Sequence, residues 1–130
     1  MSAVATKALG WRKPPSTYIA QNANQLRGLA VVQGGGGDDY AATASAANAV
    51  CLGIQDESSV SAGDPIGVID LGEAYAIAGA AVNAGQFVKC NATGQLIPVS
   101  ATGDNIVGQA KSSAASAGDE FILQVMPSVN

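Results

Sequence analysis

Residues 77–126 read IAGAAVNAGQFVKCNATGQLIPVSATGDNIVGQAKSSAASAGDEFILQVM, and their pattern decides the fold. Short apolar runs (Phe87-Val88, Leu96-Ile97, Ile106-Val107 and Phe121-Ile122-Leu123) are each cut off by Gly, Asn, Asp or Pro. Such punctuation predicts successive β-strands joined by tight turns. Between two of the runs lies Asn91-Ala92-Thr93-Gly94. Asn and Gly tolerate the positive φ that a hairpin turn needs, so this stretch predicts a hairpin.

The pattern is partly repeated. Ala62-Gly63-Asp64, Ala84-Gly85-Gln86 and Ala117-Gly118-Asp119 each precede a strand-like run. Gly53 and Gly63 map onto Gly108 and Gly118 at an offset of 55, which also carries Ser58 onto Ser113, Ser61 onto Ser116, Ile66 onto Phe121 and Val68 onto Leu123. The implied unit is a strand ending near a glycine, a small polar loop, an Ala-Gly-Asp turn and a second strand. It is used twice.

Three segments, GAAVNAGQFVKCNATGQLIPV, IVGQAKSSA and SAGDEFILQVM, resemble the capsid decoration (cement) proteins of tailed bacteriophages. The resemblance extends back through AVCLGIQDESSVSAGDPIGVIDLGEAYAIA and so covers roughly residues 49–126. It implies a small β-barrel-like body preceded by an extended arm, and a trimer on the outer surface of a phage head. The implied partner is the major capsid protein.

Moving outward, strands are expected near residues 29–33, 49–55, 65–70, 74–79, 86–90, 95–99, 105–111 and 119–126, with Gly72 turning the third of these into the fourth. Residues 40–48 are small and polar and fit either a strand or a loop. Runs this short, with no crossover helix, predict an all-β chain, a small antiparallel β-barrel or sandwich-like body over residues 29–130. Residues 1–28 lack a sustained period and contain Pro14-Pro15, so they are expected to form an extended N-terminal arm. Within it, Trp11 and Tyr18 are candidate apolar anchors, Arg12 and Lys13 candidate charge contacts, and Pro14 and Pro15 the stiffener.

Composition points the same way. The chain has 130 residues, enough for one domain. Its 48% hydrophobic content is rich in alanine and only 5% of residues are aromatic, so the core should be thin. Charged residues make up 12%, about half the usual share. A surface so poor in charge favours association with copies of itself or with a larger partner. Residues 1–37 carry Lys7, Arg12, Lys13 and Arg27 and no carboxylate, whereas the remainder carries Lys89 and Lys111 against ten carboxylates. An acidic body speaks against nucleic-acid binding. No secretory h-region and no apolar run of membrane-spanning length is present, so synthesis in a cytoplasm and no membrane partner are expected.

Catalytic equipment is sparse. Histidine is absent, which removes the commonest general base. Cys51 and Cys90 therefore have no histidine to activate them, and two cysteines do not make a zinc site. They are expected to be reduced and at least partly buried; a single bridge between them stays open at this level. Asp38-Asp39, Asp56-Glu57 and Asp119-Glu120 are adjacent pairs, which point to opposite faces of an extended chain and read as turn charge. Gly34 to Gly37 invites a phosphate-loop reading, but no Gly-Lys-Ser/Thr follows and the next residues are acidic. Lys89 precedes the hairpin as a carrier lysine does, without the usual methionine neighbours. The expected function is thus structural, with no enzyme activity and no cofactor or metal. The alternative is a small β recognition module, such as a phage head fibre or a glycan-binding host-adhesion protein.

Overall fold

The computed structural model describes residues 9–129, among which all regular structure is β. The strands are β1 (Ser16–Ala20), β2 (Ala30–Gln33), β3 (Tyr40–Thr43), β4 (Gly53–Gln55), β5 (Pro65–Ile69), β6 (Gly72–Ile77), β7 (Phe87–Cys90), β8 (Leu96–Pro98), β9 (Asn105–Ala110) and β10 (Glu120–Val129). Strands β1 to β5 close into a barrel in the order β1-β3-β2-β4-β5, and β6 to β10 form a five-stranded sheet in the order β6-β10-β9-β7-β8.

The two halves have the same wiring. In the first, Ile19 stands opposite Pro65, Val31 opposite Gly53, Gln55 opposite Val68 and Ala20 opposite Ala41. In the second, Ile77 stands opposite Glu120, Val88 opposite Gly108, Ala110 opposite Leu123 and Ala78 opposite Leu96. The parallel Ala78 to Leu96 bridge matches the parallel pairing of β1 with β3, and it joins the two edge strands of the second sheet. That sheet is therefore a second, less completely closed copy of the barrel. The turns repeat as well. The Gly63 amide donates to the Ala20 carbonyl and the Gly118 amide to that of Ala78. Both glycines have positive φ, at 93° and 88°. Asp64 accepts from the Ser61 amide as Asp119 does from that of Ser116.

The alternating pattern places the core. Along β6, Ala74 and Ala76 face inward while Glu73, Tyr75 and Ile77 are half-exposed, the period-2 signature of a strand with one covered face. One apolar cluster lies inside the first barrel (Ala20, Val31, Ala41, Ile66, Val68). A larger one runs from Ile54 and Ile69 of that barrel through Ala74, Val88, Leu96, Val107, Phe121 and Leu123 of the second. A barrel of so few strands has a narrow interior, which fits the share of alanine among the buried residues of both clusters.

The two copies differ at a buried polar trio. In the first barrel, Gln25 Nε2 donates to Gln55 Oε1 at 3.2 Å and to the Ala41 carbonyl at 3.2 Å. Gln55 Nε2 returns a bond to the Gln25 carbonyl at 3.0 Å, and the Ser59 hydroxyl accepts from the Gln25 amide. The Ser59 amide donates to the Gln25 carbonyl as the Ala114 amide donates to that of Val82, so Val82, Ala110 and Ala114 are the counterparts of the polar trio. A buried amide is tolerated only when its donors and acceptors are met, and here they are.

Three expectations change. Residues 16–20, read as part of an arm, form an integral barrel strand, with β5 on one side and β3 on the other. Their alternation is short and polar at its start (Ser16, Thr17), which hides the strand. The antiparallel expectation holds for all but the β1–β3 pairing and the Ala78 to Leu96 bridge. Gly72 does not turn one strand of a sheet into its neighbour, because β5 and β6 lie in different sheets and the chain crosses between halves at Asp70 and Leu71.

Candidate interaction surface

The segment before β1 lies along β6. Arg12 bridges Gly72 in antiparallel register, the Lys13 amide donates to the Leu71 carbonyl at 3.1 Å, and the Glu73 amide donates to the Trp11 carbonyl at 3.0 Å. This approach needs glycine at position 72: its φ is 103°, and a Cβ there would fall 2.3 Å from Arg12 Cα. In this register residues 11, 13, 71 and 73 share one face. Trp11 is 70% exposed and Leu71 44% exposed, so together they present an apolar patch flanked by Lys13 and Glu73.

The other anchor candidates have different employment. Arg12 pairs with Asp56 at 2.9 Å, and Lys13 with Asp70 at 3.2 Å, Ser16 joining that second pair through its hydroxyl. Both cations hold the segment onto its own body. Pro14 and Pro15 are exposed, with Pro15 leaning towards Gly67. Tyr18 packs against the first barrel's interior cluster. Lys7 lies outside the described residues. Leu71 was missed by sequence reasoning; its signal was an apolar side chain between Asp70 and Gly72, in a turn that needs none.

A second feature is an open groove of about 570 Å³ between the halves, with Leu26, Leu29 and Ile77 as apolar lining and Arg27, Ser58 and Thr93 among its polar groups. Arg27 pairs with Glu120 and sits over the Tyr75 ring, 5.2 Å from its centre. Among the described residues, no group of three or more His, Cys, Asp or Glu is placed to hold a metal ion, and no helix is long and apolar enough to cross a membrane.

Lys89, Asp104 and the two cysteines are also engaged. Lys89 pairs with Asp104 at 3.0 Å and reaches the Ser100 hydroxyl. It therefore sits in an ion pair on β7 and not at a turn tip. Backbone amides of Ser100 and Ala101 together with Lys89 hold the Asp104 carboxyl below the usual range, the Ser100 amide contributing most. Cys51, in the loop before β4, and Cys90, at the end of β7, are both buried and come together across the halves. Their sulfurs lie 3.5 and 3.9 Å from the same Ala49 carbonyl oxygen. The hydrogen bond from the Cys51 thiol lowers the pKa of Cys90 to about 6, and Cys51 is in turn pushed up by Cys90 and by burial.

No family model matches the sequence, and no curated protein matches it. Among solved structures, the fold is similar to the N base of the head fibre gp8.5 of bacteriophage phi29. The TM-score is 0.62 at 23% sequence identity, over 88% of this chain and 95% of that one. The matched span is longer than either barrel, so both halves take part in the likeness.

Proposed function

We propose that the chain is a structural, non-enzymatic protein of a tailed-phage head, seated on the outer surface of the mature shell and clamping neighbouring copies of the major capsid protein. The observation that carries this reading is the fold likeness across nearly the whole of a phage head-fibre base. The sequence resemblance to decoration proteins points to the same particle. A surface with few charges and the exposed Trp11 and Leu71 pair suit a protein that works while covered. In this reading Trp11 is the contact residue, and Arg12 and Lys13 act indirectly by fixing the segment that presents it. A ligand that binds only the assembled shell stabilises it by its binding free energy, multiplied over symmetry-related copies. Self-association, as a trimer, completes the proposal.

A second reading, the base of a head fibre, is favoured by the identity of the structural neighbour itself. Both place the protein on a head. They differ in what binding does: a clamp raises the temperature at which shells break, and a fibre base binds without that effect. The test is to heat heads with and without saturating protein and to follow DNA release by dye fluorescence. A rise in release temperature supports the clamp, an unchanged temperature with full binding supports the fibre base, and no binding sinks both. Light scattering that reports a monomer throughout the micromolar range would remove the trimer.

A further inference from the structure

Cys51 and Cys90 belong to different barrels and are 39 residues apart in sequence, yet their sulfurs converge on one carbonyl oxygen, that of Ala49. Cys90 is sealed in the core, and Cys51 lines an open pocket of about 180 Å³ with Val50, Asn105, Ile106 and Pro127. One thiol of the pair is thus reachable by a small molecule and the other waits behind it. Reactive cysteines of redox pairs are arranged in this way, an accessible sulfur beside a resolving one.

We propose that Cys51 and Cys90 are a redox pair which a small peroxide closes into a disulfide, stapling the first barrel to the second after the protein leaves a reducing cytoplasm. Cys90 starts as the thiolate, and it takes the proton of the Cys51 thiol as the Cys51 sulfur attacks one peroxide oxygen. The O–O bond breaks, the departing hydroxide takes that proton from Cys90 to become water, and Cys51 is left as a sulfenic acid. The Cys90 thiolate then attacks the sulfur of Cys51. The S–O bond breaks, and the departing hydroxide takes a proton from solvent to leave as a second water. One thiol, one thiolate, one peroxide and one solvent proton become one disulfide and two waters; the sulfurs are oxidised and the peroxide oxygens reduced. The pKa of Cys90, lowered to about 6 by the Cys51 thiol, supplies the thiolate that both steps need.

The closed loop spans roughly 40 residues, so in the chain-entropy account the bridge should raise the melting temperature by roughly 10 °C. The test is to titrate the purified full chain with hydrogen peroxide, block free thiols, and read intact mass, a non-reducing peptide map and the melting curve. The expected result is the loss of two hydrogens with no added oxygen, a Cys51 to Cys90 linked peptide, and a higher melting temperature that dithiothreitol reverses. Cys90→Ala should stop at a sulfenic acid on Cys51, trapped by dimedone. Should that variant not fold, the wild-type masses decide alone. Oxygen adducts without a bridge, linkage between two molecules, or two intact thiols after excess peroxide overturns the proposal.

Discussion

Gly53 and Gly108 occupy the same point in the two barrels: a Cβ on Gly53 would fall 2.1 Å from the Ile69 carbonyl oxygen, and one on Gly108 would fall 2.1 Å from that of Gln124. Each faces its own barrel's last strand, and the offset of 55 that relates the glycines also relates the oxygens. Backbone cannot swing aside as a side-chain tip can. Gly53→Ala and Gly108→Ala should therefore each destabilise the protein, by about 2 to 3 kcal/mol. Gly35, whose added Cβ would meet nothing within 4 Å, is the control. Urea unfolding of the three variants checks this, with Gly35→Ala expected within about 0.5 kcal/mol of wild type.

The polar trio of the first barrel gives a second prediction. Gln55→Ala removes the partner of the buried Gln25 side chain and should cost about 1 to 3 kcal/mol. Replacing all three residues as in the second barrel (Gln25→Val, Gln55→Ala, Ser59→Ala) removes donors and acceptors together. The triple variant should be more stable than the sum of the single changes implies, a coupling that equilibrium denaturation of the full mutant set would measure.

How much of this was legible beforehand follows from where each signal resides. The offset of 55 was visible in glycines, serines and apolar positions, because turns and strand crossings restrict residue type at single sites. The first strand was not, since Ser16 and Thr17 begin it with polar groups and Pro14-Pro15 precede it. Nor was the meeting of Cys51 with Cys90, which depends on how two barrels pack and leaves no local pattern. At the candidate surface, Trp11 was legible as the only Trp of the chain and a candidate anchor. The internal pairing of Arg12 and Lys13 was not, because their carboxylate partners lie 44 and 57 residues away.

A third prediction concerns pH. The folded Asp104 carboxyl is depressed, so its contribution to stability is complete above its unfolded pKa and is lost as pH falls through the lower folded value. Asp104→Asn should be less stable than wild type at neutral pH. The gap should close as the solution is acidified below the usual carboxylate range. Thermal melts across a pH series check the sign; a gap that widens in acid would contradict it.

The N-terminal segment gives a fourth. Deleting residues 1–28 removes β1 from the closed barrel and should unfold the first half, whereas deleting residues 1–9 should leave the melting temperature nearly unchanged. Trp11→Ala, at an exposed site, should likewise spare stability while weakening attachment by about 2 kcal/mol. Circular dichroism separates the folding effects from the binding effect.

The central claim, attachment to a phage head, is tested most directly by co-sedimentation with tailed-phage heads prepared without this protein. The account predicts saturable pelleting at a fixed ratio to the major capsid protein, weakened by Trp11→Ala and Leu71→Ser. Folded protein that stays in the supernatant at every concentration of heads would contradict it.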